Sequence, residues 1–514
     1  MNPSIEEILA GLPARLHDMP ARWALERPDD IALIEGETRW SWKTFAKEIE
    51  AAASALADLG VRPGDRVMIV HENGLAAATL LFAASLCDAW MVPVNARQSA
   101  DEIDWIRNNC QPARVLYTVD VSPDAKAHAV RHGTSTFAWQ GAGKVEAGRG
   151  LACEPEPVTG DAARDIAILL YTTGTTGRSK GVMLSHRSAV YVAAGPGSPA
   201  ALTGEDLSYA VLPFAHSFGL ASTFLRAVYH GARIMIEPRF SPERLLAGLK
   251  AGITICNGVP AMYARLLEYL GKTGARIEAP ALRAITAGGA PVDPNLTTRT
   301  EKAFGMGLIN GYGLTEAGPT VSRSAPGDAT SSGLPLIGIE IRAVGSDLND
   351  VAPGETGELW VRGPNIMQGY YRDDEATRTV LTEDGWLRTG DLGRIAADQR
   401  IFVVDRAKEV IIRSGFNVSP VEIEETLNAH PEIVQSAVIG VPHDGDEVVV
   451  AFVEPVEGSA LTEEDILRYA GERLAPYKRP AWISLMKTLP AAPTGKVLKG
   501  ALRERAAALL AERA

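Results

Sequence analysis

Cysteine is scarce in this chain of 514 residues: Cys87, Cys110, Cys153 and Cys256 are its four, and no two form a C-x-x-C pair. That spacing argues against a disulfide framework and against a thiolate metal site, and a reduced compartment is expected. Long apolar runs are missing too. The longest, at 74–86 (GLAAATLLFAASL), is too short to span a bilayer, so no integral membrane association is expected. There is no basic excess either. Lys and Arg number 51 against 63 Asp and Glu, a formal charge of −12 that speaks against a general nucleic-acid binder. The start, MNPSIEEILAGLPARL, is acidic where a signal peptide is basic, and the end, LLAERA, carries no peroxisomal address. A soluble cytoplasmic protein is expected. No G-x-G-x-x-G follows the first strand, which removes the nicotinamide dehydrogenases that the strand–helix rhythm would otherwise admit.

What is present is an ordinary globular composition, 46% apolar and 22% charged, in a chain long enough for two or more domains. The first part alternates strand and helix: strands at 31–35, 67–71 and 91–93, helices at 42–59, 74–86 and 100–108. The rhythm returns with strands at 209–212, 232–237, 253–257 and 284–287. Such alternation predicts an α/β fold of parallel or mixed sheets covered by helices. Short strands with glycine turns follow, at 357–362, 390–396 and 401–404. After a boundary at 405–408 the pattern becomes a small α+β unit, with helices at 420–429, 463–474 and 499–512 and strands at 434–441, 447–456 and 483–486.

One segment carries clear chemistry. The apolar run IAILLY at 166–171 ends in Thr172, Thr173, Gly174, Thr175, Thr176, Gly177, Arg178, Ser179, Lys180 and Gly181. Glycines let successive N–H groups turn toward an anion, hydroxyls add donors, and the cations add charge. A polyphosphate is the ligand such a loop suits. The spacing GTTGRSKG is not that of a Walker A loop.

These residues resemble the phosphate loop of the adenylate-forming superfamily: acyl-CoA synthetases, nonribosomal peptide synthetase adenylation domains and firefly luciferases. Ser179 departs from that loop's proline. The resemblance covers nearly the whole chain. It implies a large N-terminal domain (1–405) of parallel and mixed sheets with a β-barrel-like subdomain, a hinge (406–408) and a small mobile α+β C-terminal domain (409–514). AGGAP at 287–291 is similar to the family's adenine-binding turn, with Gly288, Ala290 and Pro291 on the nucleotide. NGYGLTE at 310–316 is similar to the next motif, in which Gly311 and Tyr312 meet adenine, Thr315 the α-phosphate, and Glu316 Mg²⁺. WLRTGDLG at 386–393 implies that Asp391 binds the ribose hydroxyls. VDRAKEVIIRSGFNVSPVEIE at 404–424 implies Arg406 on the nucleotide, Lys408 as hinge, and Gly415 and Phe416 along the pantetheine arm of CoA. PTGKVLK at 493–499 implies that Lys496 is the catalytic lysine, acting with Thr315, Glu316 and His216.

The implied reaction joins a carboxylic acid to ATP as acyl-AMP, releasing pyrophosphate, and then passes the acyl group to CoA. LPFAHSFG at 212–219 resembles the segment lining the acyl pocket, with His216, Ser217 and Gly219. Amino-acid-activating relatives carry an Asp there that this chain lacks. The other expected pocket residues, Gly258, Val259, Ala287, Gly289, Gly313 and Leu314, are small or apolar and include no cation. A medium-chain fatty or aryl-alkenoic monocarboxylic acid is therefore expected ahead of a malonyl-type dicarboxylate, whose second charge would be unpaired. Arg473, Lys478 and Arg479 are candidate contacts for CoA phosphates. An acyl-carrier protein remains open as alternative acceptor, and a homodimer as assembly.

Overall fold

The structure, a computed structural model, describes residues 3–172, 179–290, 292–328, 330–413, 416–443, 446–492 and 496–513. Among these, two large sheets form the N-terminal body. One runs in the order Leu334–Pro335, Ser322–Arg323, Leu308–Tyr312, Ala284–Ala287, Ile255–Gly258, Leu207–Ala210, Arg233–Ile236, Ile31–Glu35, Thr38–Ser41. Its interior pairs are parallel, and its edges are antiparallel. The other centres on the parallel strands Arg66–His71, Trp90–Asn95 and Arg114–Thr118, flanked by the antiparallel pair Ile166–Thr172 and Lys180–Ser185. Every residue of Arg66–His71 is buried, as expected of a central strand covered on both faces.

The run that fell short of a bilayer forms the helix Leu75–Leu86, and all but its last residue are buried. It is apolar on every side because it lies inside the protein, where Phe82 joins Phe45, Phe224 and Ala210 in one large core. No helix among the described residues is long and apolar enough to cross a membrane.

The barrel-like part is a four-stranded antiparallel sheet, ordered Glu340–Val344, Thr356–Arg362, Leu387–Ile395, Ile401–Arg406. The last strand runs two residues beyond its expected end at 404, and that extension sets Arg406 opposite Asp391. Beyond it, Ile433–His443, Asp446–Pro455 and Trp482–Leu485 form a three-stranded sheet packed with the helices Pro420–Asn428, Glu463–Arg473 and Lys499–Arg513. Ile423, Leu427, Val438, Val449, Ala451 and Ile466 give this unit its own core.

Two features depart from the alternation read in the sequence. The residues on either side of 173–178 are strands paired antiparallel, with Tyr171 opposite Gly181 and Thr172 opposite Lys180. After His216 the chain forms a π-helix, Phe218–Leu225, continued by the helix Arg226–Tyr229. Its residues from Gly219 to Leu225 are buried, and π turns of this kind tend to occur beside functional sites.

Candidate active site

The nucleotide-binding candidates converge from three parts of the chain. Asp391 is buried on the strand Leu387–Ile395. It accepts a hydrogen bond from the Tyr312 hydroxyl (2.8 Å) and pairs with Arg406 Nε (3.2 Å). Burial pushes its carboxyl upward, and Arg406, Tyr312 and Lys496 oppose that shift. Lys496, from the far end of the chain, faces the same group. Burial and the neighbouring Arg406 charge pull its ammonium below the ordinary lysine value, while Glu409 and Asp391 support the charge. Lys496 is also felt at His216, whose imidazole is driven down to about 4 by burial and by that positive charge. His216 is therefore neutral at physiological pH. Its Nδ1 accepts from the Phe218 N–H (3.3 Å), which leaves the proton on Nε2.

A second group lies around the short turn Thr315–Ala317. Thr315 Oγ1 is 3.0 Å from Ser217 Oγ, joining the α-phosphate candidate to the acyl segment. The Glu316 carboxylate accepts from the Tyr370 hydroxyl (2.8 Å), and its backbone carbonyl accepts from Met367 N (2.9 Å). Lys180 Nζ sits over the Tyr370 ring, 4.9 Å from its centre. Tyr370 thus links the loop lysine to the metal candidate, a role the sequence reading missed. Its only signal was its place in GYYR, whose Gly369 and Tyr370 pair with Met183 and Val182. Among the described residues no three metal-ligating side chains cluster. A single held carboxylate suits an Mg²⁺ ion bound mostly by phosphates and water.

The acyl segment departs in part from expectation. Gly219 and Gly313 are small for their backbones, not for a ligand. A Cβ on Gly219 would meet the Pro213 carbonyl at 2.2 Å, and one on Gly313 the Pro319 carbonyl at 1.6 Å. Ala287 is packed in a core with Leu212 and Ile285. Gly288 and Gly289 lie against the Phe218 ring, which would be 3.3 Å from a Cβ on Gly288 and 3.8 Å from one on Gly289, and Val259 is buried beside them, 3.7 Å from a Cβ on Gly289. Gly258 backs onto the Tyr263 ring. Leu314 and Ala290 are half-buried, and Gly311 pairs with Arg323 on the neighbouring strand.

Thr173, Gly174, Thr175, Thr176, Pro291 and Gly415 lie outside the described residues. Lys408 is exposed, beside a cavity it lines with Glu409, Gly440, Glu447 and Arg503. Phe416 is 53% exposed and stacks on Tyr477 at 4.6 Å. The three basic candidates for CoA phosphates are engaged elsewhere. Lys478 pairs with Glu422 (2.6 Å), Arg473 with Glu472 (2.9 Å), and Arg479 donates to the Leu474 carbonyl (2.9 Å). Burial raises the thiols of Cys87, Cys110 and Cys256 to about 11, 12 and 12, so none of the three is a nucleophile at neutral pH.

Residues 20–371 match the family of AMP-binding enzymes, and residues 422–496 match the AMP-binding enzyme C-terminal domain. Feruloyl-CoA synthase of an Amycolatopsis species is 33% identical over 95% of this chain and 99% of its own length. 4-Coumarate–CoA ligase 5 of Oryza sativa subsp. japonica is 32% identical over 96% of this chain and 95% of its own. The crystal structure of ATP-bound MatB from Rhodopseudomonas palustris superposes with a TM-score of 0.82 at 29% identity, covering 96% of this chain and 98% of that one. The chain belongs to the AMP-binding family of adenylate-forming enzymes and is an AMP-forming acyl-CoA synthetase.

Proposed function

We propose that the enzyme activates an aryl-alkenoic or medium-chain carboxylic acid as acyl-AMP, releasing pyrophosphate, and transfers the acyl group to CoA with release of AMP. The observation that carries this reading is the convergence of Lys496, Asp391, Arg406 and Tyr312 with the Thr315–Ser217 contact. A ribose anchor, an α-phosphate donor and a half-buried cation meet at the mouth of an acyl pocket.

Each residue has a role in that chemistry. Asp391 accepts the ribose hydroxyls, and Arg406 and Tyr312 hold its carboxylate in place. Thr315 donates to the α-phosphate. Lys496 places its ammonium between two anions that repel each other, the incoming carboxylate and the phosphate it attacks. Glu316, oriented by Tyr370, would hold Mg²⁺, which supplies charge neutralisation on the phosphates when bound. Lys180 leaves the Tyr370 ring for the phosphates. His216, neutral with its proton on Nε2, can donate a hydrogen bond to the acid without adding charge.

We place the hinge at 406–408. The strand that ends at Arg406 belongs to the N-terminal body, and Lys408 is exposed immediately after it. Turning there would withdraw Lys496 and bring the face carrying Phe416 to the adenylate for thiolysis. The relatives named for feruloyl and coumaroyl substrates support an aryl-alkenoic acid, as does the Phe218 ring against Gly288 and Gly289. AMP release measured with and without CoA, across aryl-alkenoic, fatty and dicarboxylic acids, tests this reading. CoA-dependent AMP formation with none of them would refute it.

A further inference from the structure

Two arginines lie buried between the nine-stranded sheet and the π-helix, and nothing in the reaction above uses them. Arg226, 2% exposed, donates from Nη2 to the Ala200 carbonyl (2.6 Å), while its Nε and Nη1 are buried without a partner. Arg323, 9% exposed, has no hydrogen-bond or ion-pair partner for its side chain among the described residues. Among the described residues no carboxylate pairs with either guanidinium. Burial alone lowers the Arg323 guanidinium to about 10, and Arg226 is pulled further down by burial and by the charges of Arg323 and Arg283. Arg283 has its own counter-ion in Asp206 (2.6 Å).

The register shows where Arg323 points. It lies directly opposite Gly311, which is two residues from Ile309, and Ile309 lies beside Thr286 and Thr286 beside Asn257. These residues share one face of the sheet. Ile309, on this face, belongs to the same buried core as Leu220 and Phe224 of the π-helix, and Thr286 donates to Asn257 Oδ1 (2.8 Å). Arg323 therefore enters the layer between sheet and π-helix, the layer that opens at Ser217 and Thr315. Within it, Ser222 and Thr320 pair through their hydroxyls (2.7 Å). From Ser217 to Arg226 the chain covers nine residues, mostly of π-helix, so it advances somewhat less than the roughly 13 Å that about 1.5 Å per residue would give an α-helix. The small residues at the pocket rim carry no cation, but this deeper end carries two.

A buried guanidinium without a counter-ion is strongly unfavourable, and its planar fork matches a carboxylate. We propose that Arg323 and Arg226 form an anion subsite at the inner end of the acyl pocket, and that the acid this enzyme activates carries a second carboxylate at its far end. The inference rests on the acid–CoA ligase reading and narrows its substrate. The separation rules out malonate, whose carboxylates are one carbon apart. It suits an aryl-alkenoic acid with a carboxylate across the ring, or a medium-chain α,ω-dicarboxylic acid.

The test compares matched pairs by CoA-dependent AMP release: cinnamate with para-carboxycinnamate, and octanoate with octanedioate. Each dicarboxylate should exceed its partner in kcat/KM by about tenfold or more. Arg323→Met should lower kcat/KM for the dicarboxylates about 30-fold or more and leave the monocarboxylates within about threefold, since only the former lose a buried charge pair. Equal use of both members of each pair by the native enzyme would overturn the subsite whether or not the variant folds. So would an equal loss on both in Arg323→Met, or protection by chloride alone. If no acid releases AMP, the ligase reading fails. The subsite is then decided by thermal shift, in which octanedioate but not octanoate should stabilise the native protein and should not stabilise Arg323→Met.

Discussion

Lys496→Ala separates the two half-reactions most sharply. In the structure Lys496 is half-buried, its ammonium feels the charges of Asp391 and Glu409, and it is close enough to lower the His216 pKa. Its loss removes one preorganised charge from the reacting centre, which costs about 2.7–4 kcal/mol, or roughly 10²–10³ in rate. The ribose anchor is not lost with it, because Arg406 stays 3.2 Å from Asp391 and the Tyr312 hydroxyl 2.8 Å. The defect should therefore appear in kcat for adenylation, with KM for ATP shifted by no more than about threefold, since only uniform binding is reflected in KM alone. Pyrophosphate release in single turnover reports the first step. Thioester formation from supplied acyl-AMP reports the second and should keep most of its rate. A comparable loss in both steps would refute the role given to Lys496, and a large rise in KM with kcat preserved would make it a nucleotide-binding residue only.

Tyr370→Phe removes the hydroxyl that holds Glu316. A net hydrogen bond of about 0.5–1.5 kcal/mol predicts a two- to twelvefold rise in the Mg²⁺ concentration needed for ATP binding, measured by calorimetry, and unchanged Mg²⁺ dependence would refute the positioning role. Lys499 reaches both Glu409 (3.0 Å) and Glu424 (2.9 Å) in a half-buried setting, so Lys499→Met removes the ion-pair partner of Glu424 and one of the cations beside Glu409, which keeps Lys496 and Arg406 near it. A loss of about 3–5 kcal/mol in denaturant unfolding is expected for the C-terminal unit. Acid should destabilise the fold in a defined window. Burial holds the His71 and His186 imidazoles at about 4 and about 3, against 6.5 when free, so unfolding takes up protons below 6.5. Their contribution is complete above pH 6.5 and falls as pH drops toward 4, by on the order of 3 kcal/mol each, and flat stability across that window would refute the assignment.

The strand and helix rhythm was legible because it is local: the period of the apolar residues fixed Ala284–Ala287 to the residue and Trp42–Asp58 to within one. The active-site motifs were legible because each is a contiguous run. What could not be read was set by pairing between distant segments. Tyr370 reaches Glu316 only because Gly369–Tyr370 adds to the edge of the strand Lys180–Ser185. Gly219 and Gly313 look like space for a ligand in the sequence, yet folding brings a carbonyl into that space in each case. Lys478 and Arg473 look like free cations until Glu422 and Glu472 are found beside them.

The same contrast bears on specificity. An acyl pocket judged from the motif at 212–219 is judged from its mouth, where Phe218 lies against Gly288 and Gly289. Its depth is set by residues that fall outside every motif, Arg226 at the end of the π-helix and Arg323 on a two-residue strand. Neither position has a part in the adenylation proposed for Lys496, Thr315, Glu316 and Asp391. Two uncompensated buried charges weaken the free enzyme, and a marginally stable fold retains such a cost where function returns it. A dicarboxylate held at both ends would be oriented by Arg323 and Arg226 at one carboxylate, so that the other arrives at Thr315 and Lys496 already aligned for attack. Binding energy collected at the remote carboxylate would then be spent at the reacting one, and a monocarboxylic analogue should lose kcat as well as affinity.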